Sequence, residues 1–189
     1  MSRRHLHLQA LGGIAGDMFV AAMLDAFPRF EAQVFRDVAA VLPPEAGRAK
    51  IERVFRNGIA AAHFSLRDAD ADDTVPRAGR NGPERDDAAG PRRYRPAGPR
   101  PDGMLSPPGE DPAASGDYAA IRARIEAAGL PAATAGHALG ILEILARAES
   151  RIHGLPLEAV HFHEIAGFDS LMDVVAAASV IAATAPASW

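Results

Sequence analysis

The chain has 189 residues, 48% of them hydrophobic, and a formal charge of -4 at neutral pH. That composition supports one core of ordinary size, and with no basic excess neither nucleic acid nor an anionic membrane surface is an expected partner. There is no cysteine, which excludes disulfides, thiolate nucleophiles and thiolate-bound metal centres, so any transition metal must be held by His, Asp or Glu.

In chain order, MSRRHLHLQALGGIAGDM opens with the paired arginines of an export signal, but His5, His7, Gln9 and Asp17 break every apolar stretch, so it reads as mature cytoplasmic sequence. HLHLQAL alternates, with Leu6, Leu8 and Ala10 on one side and His5, His7 and Gln9 on the other, which predicts a strand. A glycine turn follows, then a helix in which Met18, Ala21, Ala22 and Leu24 recur at helical spacing, and a second helix over Phe30 to Leu42 that stops at Pro43 and Pro44. KIERVFR and IAAAHFSLR flank Asn57-Gly58, whose positive-φ preference predicts a tight hairpin. Residues 69–116 are one third Pro or Gly with few large apolar side chains, and are expected to form a disordered linker. Beyond it, Asp117 caps a helix running through Ile121 and Ile125 to Gly129. A longer helix with Ala138, Ile141, Leu145, Ala148 and Ile152 inward closes at Gly154 and Pro156, and a last one begins near Asp169 or Ser170 with Leu171, Val174, Val175, Ala178 and Ile181 inward. The most apolar stretch, Val174 to Ala187, is too short to cross about 30 Å of hydrocarbon, so no membrane span is expected.

These elements predict an α+β fold: a small mixed sheet with a β-hairpin, flanked by about six helices. The expected organisation is an N-terminal unit at 1–68, the linker at 69–116 and a helical unit at 117–189.

Two stretches carry chemistry. In VHFHE, an extended backbone puts His161 and His163 on one side, about 6.5 Å apart, where two neutral imidazoles converge on Zn, Ni, Cu or Fe. The bland alternative is a half-exposed edge with Val160 and Phe162 in the core and the histidines wet. Glu164 points the other way unless the chain turns. Asp169 and Asp173 share a helix face and can lean toward the same ion, although Asp169 as a cap and a capping box from Ser170 to Asp173 explain them structurally. In LGGIAGDMF, Gly12, Gly13 and Gly16 lie before a helix N-terminus, a natural anion seat. Asp17 there repels a bare phosphate unless a divalent cation intervenes, or is a simple cap.

HLHLQALGGIAGDMFVAAMLDA and HGLPLEAVHFHEIAGFDSLMDVVAAAS together closely resemble the two most recognisable segments of the LarC family of nickel insertion proteins, and RNGIAAAHFSLR and DYAAIRARIEAAGL resemble the segments between. The resemblance implies a metal chelatase of the lyase class that places Ni(II) into a pyridinium bisthiocarboxylic acid mononucleotide, giving the nickel-pincer cofactor of lactate racemase. It further implies dependence on CTP with Mn or Mg. Carried onto this sequence, it implies Asp17 and Glu164 as catalytic residues. Gly12, Gly13 and Gly16 become the cofactor-binding turn, and Asp17, His161, His163, Asp169 and Asp173 the metal ligands. The chain departs from the family's pattern at Gln9, where an aspartate is usual, and in residues 69–116, which hold no histidine. Family members also continue past the equivalent of Trp189 into a nucleotide-binding region, so a missing C-terminal portion or a partner chain is expected, with a homo-oligomer as a further possibility. The alternatives from the residues alone are a Mg- or Mn-dependent phosphotransfer or hydrolase site and a non-catalytic scaffold fragment.

Overall fold

A computed structural model describes residues 5–56, 58–67, 116–162 and 167–185. The linker reading therefore falls outside the described residues except at Gly116, which is buried. The elements are α1 (Gly16–Ala26), α2 (Glu31–Val41), β1 (Arg48–Arg56), β2 (Ile59–Arg67), α3 (Tyr118–Ala127), α4 (Ala132–His153) and α5 (Phe168–Thr184), with short 3-10 turns at Pro28–Phe30, Pro44–Ala46 and Leu157–Ala159. This is an α+β fold whose sheet, among the described residues, is one antiparallel hairpin. No described helix is long and apolar enough to cross a membrane.

Local signals set most boundaries. β1 and β2 pair from Arg48 opposite Arg67 to Arg56 opposite Ile59, leaving the two-residue turn that Asn57-Gly58 calls for, with Gly58 at φ +81°. The Asp117 carboxylate accepts from the Ala120 backbone N–H at 3.0 Å and starts α3. Gly154 takes the left-handed conformation that ends α4.

α5 is the central helix. It packs against α1, α2, α4 and β2, and Leu171, Met172, Val175, Ala176, Ala178 and Val180 on it are all buried. Its alanines let neighbours approach closely, as their small size implies. Val20 of α1, Val34 of α2, Phe64 of β2, Ile125 of α3 and Leu142 of α4 complete a single core drawn from both sides of residues 68–115. The rings of Phe35 and Phe64 stack at 6.3 Å, and Tyr118 meets Phe162 edge-on at 6.4 Å. A buried polar tie runs through this core: Ser179 and Thr134 hydroxyls donate to Asp37 Oδ2 at 2.6 and 3.2 Å, joining α5 and α4 to α2.

Several expectations are corrected. His5 makes a β-bridge, but residues 6–10 are not strand; Leu6 is partly buried while Leu8 and Ala10 are exposed, because alternation fixes side-chain direction while an extended ladder also needs paired backbone along its length. In α1 the buried positions are Val20, Ala21, Met23 and Leu24, with Met18 and Ala22 exposed. In α4 they are Thr134, Ala138, Leu142 and Ala146, while Leu145 and Ile152 face water. Both helices are apolar on more than one side, so periodicity alone leaves the buried face open. On α5, Leu171, Val175 and Ala178 are buried as expected, but Val174 and Ile181 are only half-buried.

Candidate functional site

The N-terminus of α1 and the first turns of α5 meet, bringing together residues 156 positions apart. The approach begins with glycine. Residues 10–13 make a tight turn closed by the Gly13 N–H donating to the Ala10 carbonyl at 3.2 Å. Gly12 and Gly13 hold φ near +86° and +98°, and nothing lies within 4 Å of where their side chains would project. Gly16 has a different reason to be glycine. A Cβ there would sit 2.8 Å from Asp173 Cβ and 2.9 Å from its Oδ2, so any side chain would push α5 away.

Through that gap Asp173 reaches α1. Its Oδ2 accepts from the Asp17 backbone N–H at 3.1 Å, satisfying one of the orphan donors of the α1 N-terminus from another helix. The caps expected from sequence are therefore corrected. The residue preceding α1 is Ala15 and the one preceding α5 is Gly167, and neither of these supplies a side-chain cap bond of its own. Asp17 and Asp169 each lie in a first turn, where a carboxylate suits the positive end of the helix dipole. Asp173 does not close a box with Ser170 because it is turned toward α1.

Electrostatically the place is acidic. Burial, then the negative charge of Asp17 and finally that of Asp169, push the Asp173 carboxyl up to about 6, against the lowering effect of the Asp17 N–H bond. Its Oδ1 is buried and accepts no hydrogen bond. A charged oxygen in that state requires a proton or a cation. Among the described residues no group of three His, Asp or Glu side chains is placed to hold a metal ion, so Asp17, Asp169 and Asp173 do not by themselves form a three-ligand site.

The expected alternation around His161 is present. Residues 160–162 are pinned by an antiparallel bridge between Asp117 and His161, with the Tyr118 N–H donating to the Val160 carbonyl at 3.1 Å and the Phe162 N–H to the Gly116 carbonyl at 2.8 Å. Val160 and Phe162 are buried, and His161 is half-buried. His163 and Glu164 lie outside the described residues. The structure thus assembles Gly16, Asp17, Asp169 and Asp173 and holds His161 on a fixed segment. Sequence reasoning did not find the Gly16–Asp173 approach; its only local signal was a glycine at a helix start, which reads equally as a phosphate turn.

The model of the family described as nickel insertion protein matches residues 6–188. The chain belongs to the nickel insertion protein family. Curated relatives whose names carry nickel insertion include one from Geotalea daltonii, 31% identical over 92% of this chain, and one from Geobacter sulfurreducens, 32% identical over 93%. Another, from Myxococcus xanthus, is 29% identical over 95%. The chain covers 34%, 35% and 36% of these proteins respectively, so it spans about a third of their length. No solved structure matches it.

For a nickel insertion protein the donor chemistry fits. Carboxylate oxygen and imidazole nitrogen both bind divalent nickel, and without thiolates the hold is moderate and exchangeable. The partnerless Asp173 Oδ1 is where such an ion would relieve an energetic cost.

Proposed function

We propose that this chain forms the nickel-holding portion of a LarC-type nickel insertion protein. Ni(II) draws Asp17, Asp169 and Asp173 in around it, together with His161 and His163, and is then surrendered to the sulfur donors of a pyridinium bisthiocarboxylic acid mononucleotide. The product would be the nickel-pincer cofactor of lactate racemase, formed in the cytoplasm by a chelatase of the lyase class. The observation that carries this reading is the buried, partnerless Asp173 oxygen between two other carboxylates.

The chemistry follows from that oxygen. Nickel entering the cluster displaces the proton that Asp173 holds more tightly than an ordinary carboxyl does, so loading releases protons near pH 6. Three carboxylates and imidazoles suit an aquated divalent ion, whereas sulfur is the softer donor, so transfer to the pincer runs toward the tighter site. Glu164 is the proposed base for the acceptor. CTP with Mn or Mg is the nucleotide implied by the family, and it would supply phosphate charge. Gly12 and Gly13 leave open backbone toward which such a phosphate can come, with a divalent ion separating it from Asp17. The remaining two-thirds of the family's length would supply the rest of the nucleotide site and the site that binds the mononucleotide acceptor.

Calorimetry of this chain with Ni, Zn, Mn and Mg tests the proposal. One nickel per chain is expected, weakened at least tenfold in both Asp17→Ala and His161→Ala. Nickel binding lost in His161→Ala but untouched in Asp17→Ala would break the shared site, and a preference for Mg together with tight nucleotide binding would favour a phosphotransfer or hydrolase centre instead.

A further inference from the structure

The backbone that carries His161 is paired, and its partner is the start of α3. In that antiparallel bridge the Tyr118 N–H donates to the Val160 carbonyl at 3.1 Å and the Phe162 N–H to the Gly116 carbonyl at 2.8 Å. Both bonds join the residues that flank Asp117 and His161, so these two form a non-hydrogen-bonded pair, the kind in which opposed residues come closest. Their side chains therefore stand on one face, with Cβ atoms about 4.5–5.5 Å apart. Burial shows which face that is. Tyr118, Val160 and Phe162 lie in the core, with Tyr118 edge-on to Phe162. Asp117 and His161 point the other way, and both are half-buried.

The Asp117 carboxylate is only half used. Oδ1 accepts from the Ala120 N–H at 3.0 Å and caps α3, which also holds the side chain in place beside His161. Among the described residues Oδ2 has no hydrogen-bond partner, and the two side chains are not bonded to one another. A carboxylate oxygen opposite an imidazole is the arrangement that orients histidine ligands in metal sites. The acceptor draws the ring proton to the nitrogen that faces it, which leaves the lone pair of the other nitrogen for the ion and makes that nitrogen the stronger donor.

We infer that Asp117 is a positioning residue for the proposed ligand His161: its Oδ2 accepts the His161 ring N–H and fixes the tautomer and ring orientation in which the other nitrogen meets Ni(II). The contact forms on loading, by rotation of the imidazole toward a carboxylate already held by its cap. Asp117 itself touches neither the ion nor the acceptor. The inference rests on the nickel reading above, and it adds a residue from α3, outside both sequence motifs.

Nickel calorimetry on the full chain compares the wild type, Asp117→Asn and Glu158→Gln. Asn caps a helix as well as Asp does, so the urea midpoint of Asp117→Asn should match the wild type. Its spare group is an amide donor that cannot take the ring proton, and nickel affinity should fall about 10–100-fold. Glu158→Gln removes an equal charge from an exposed side chain close by in the chain and should leave affinity nearly unchanged, because solvent screens it. The proton spectrum of the nickel-loaded wild type should contain a contact-shifted, exchangeable ring N–H that is missing from His161→Ala and lost to solvent exchange in Asp117→Asn. If Asp117→Asn shifts the urea midpoint, Asp117→Ser, also a strong cap, takes its place in the comparison. Wild-type affinity in the cap-preserving variant, a loss no larger than that of Glu158→Gln, or a His161 N–H that persists in the variant would each overturn the inference and leave the nickel reading standing. A wild-type chain that takes up no nickel, or whose affinity is indifferent to His161→Ala, would overturn both.

Discussion

Asp173→Asn separates charge from shape at the acidic cluster. The amide keeps an oxygen that can accept from the Asp17 N–H and fills the same space beside Gly16, but it carries no charge. In the wild-type chain the folded carboxyl titrates near 6 and the unfolded one near 3.8, so the folded state binds the proton more tightly. Folding stability from this group is therefore full below about pH 4, falls as pH rises toward and through 6, and stays low above it. The gap corresponds to about 3 kcal/mol at most, and solvent screening at a half-buried carboxylate reduces it to about 1–2 kcal/mol. Urea unfolding with chelator present, at pH 3.5, 6 and 8, should show the variant and the wild type nearly equal at the acid end. At pH 8 the variant should be about 1–2 kcal/mol more stable, a difference that isolates this group from every other titrating carboxyl. Added nickel should reverse the order, because ligand binding stabilises only the form that holds it, by about 2.7 kcal/mol at one hundred times Kd. A variant less stable than the wild type at pH 8 by 1 kcal/mol or more would mean that the charge stabilises the empty chain, and the argument for a cation-demanding cluster would collapse.

Gly16→Ala should destabilise the chain by about 1–3 kcal/mol through overpacking against Asp173, and calorimetry should show weaker nickel binding. Asp37→Ala leaves the buried hydroxyls of Thr134 and Ser179 without their acceptor; a loss of about 2–4 kcal/mol is expected in chemical denaturation, with Asp37→Asn milder because it retains an oxygen. Gly58→Ala forces a side chain into positive φ at the hairpin turn and should cost about 1 kcal/mol in thermal or urea unfolding without changing metal affinity.

How far the sequence reaches is clearest element by element. The hairpin was legible because Asn57-Gly58 states its own turn geometry, and the start of α3 because Asp117 bonds only three residues ahead. The close of α4 at Gly154 is equally local. Failures begin where a choice depends on a neighbour. α4 offered the stripe of Ala138, Ile141, Leu145, Ala148 and Ile152 as well as a neighbouring one through Leu142 and Ala146, and of the first only Ala138 is fully buried. The fold buried the smaller side chains, which suit close packing on α5. The HLHLQAL segment alternates like a strand, yet only His5 is bridged and residues 6–10 are not strand.

The candidate site divides in the same way. Its residue types, the glycine turn at 12–16, the aspartates and the histidines, were visible in the two motifs, as was the inward direction of Val160 and Phe162. The sequence alone determined which helices and turns form, and that any metal would meet oxygen and nitrogen donors rather than sulfur. Only the tertiary structure decided that Asp173 would cap α1, that Gly16 would be the gap admitting it, and that Asp37 would tie three helices. Those contacts join residues far apart in the chain, and their energy comes from desolvation and charge proximity, which exist only once the core has closed around α5.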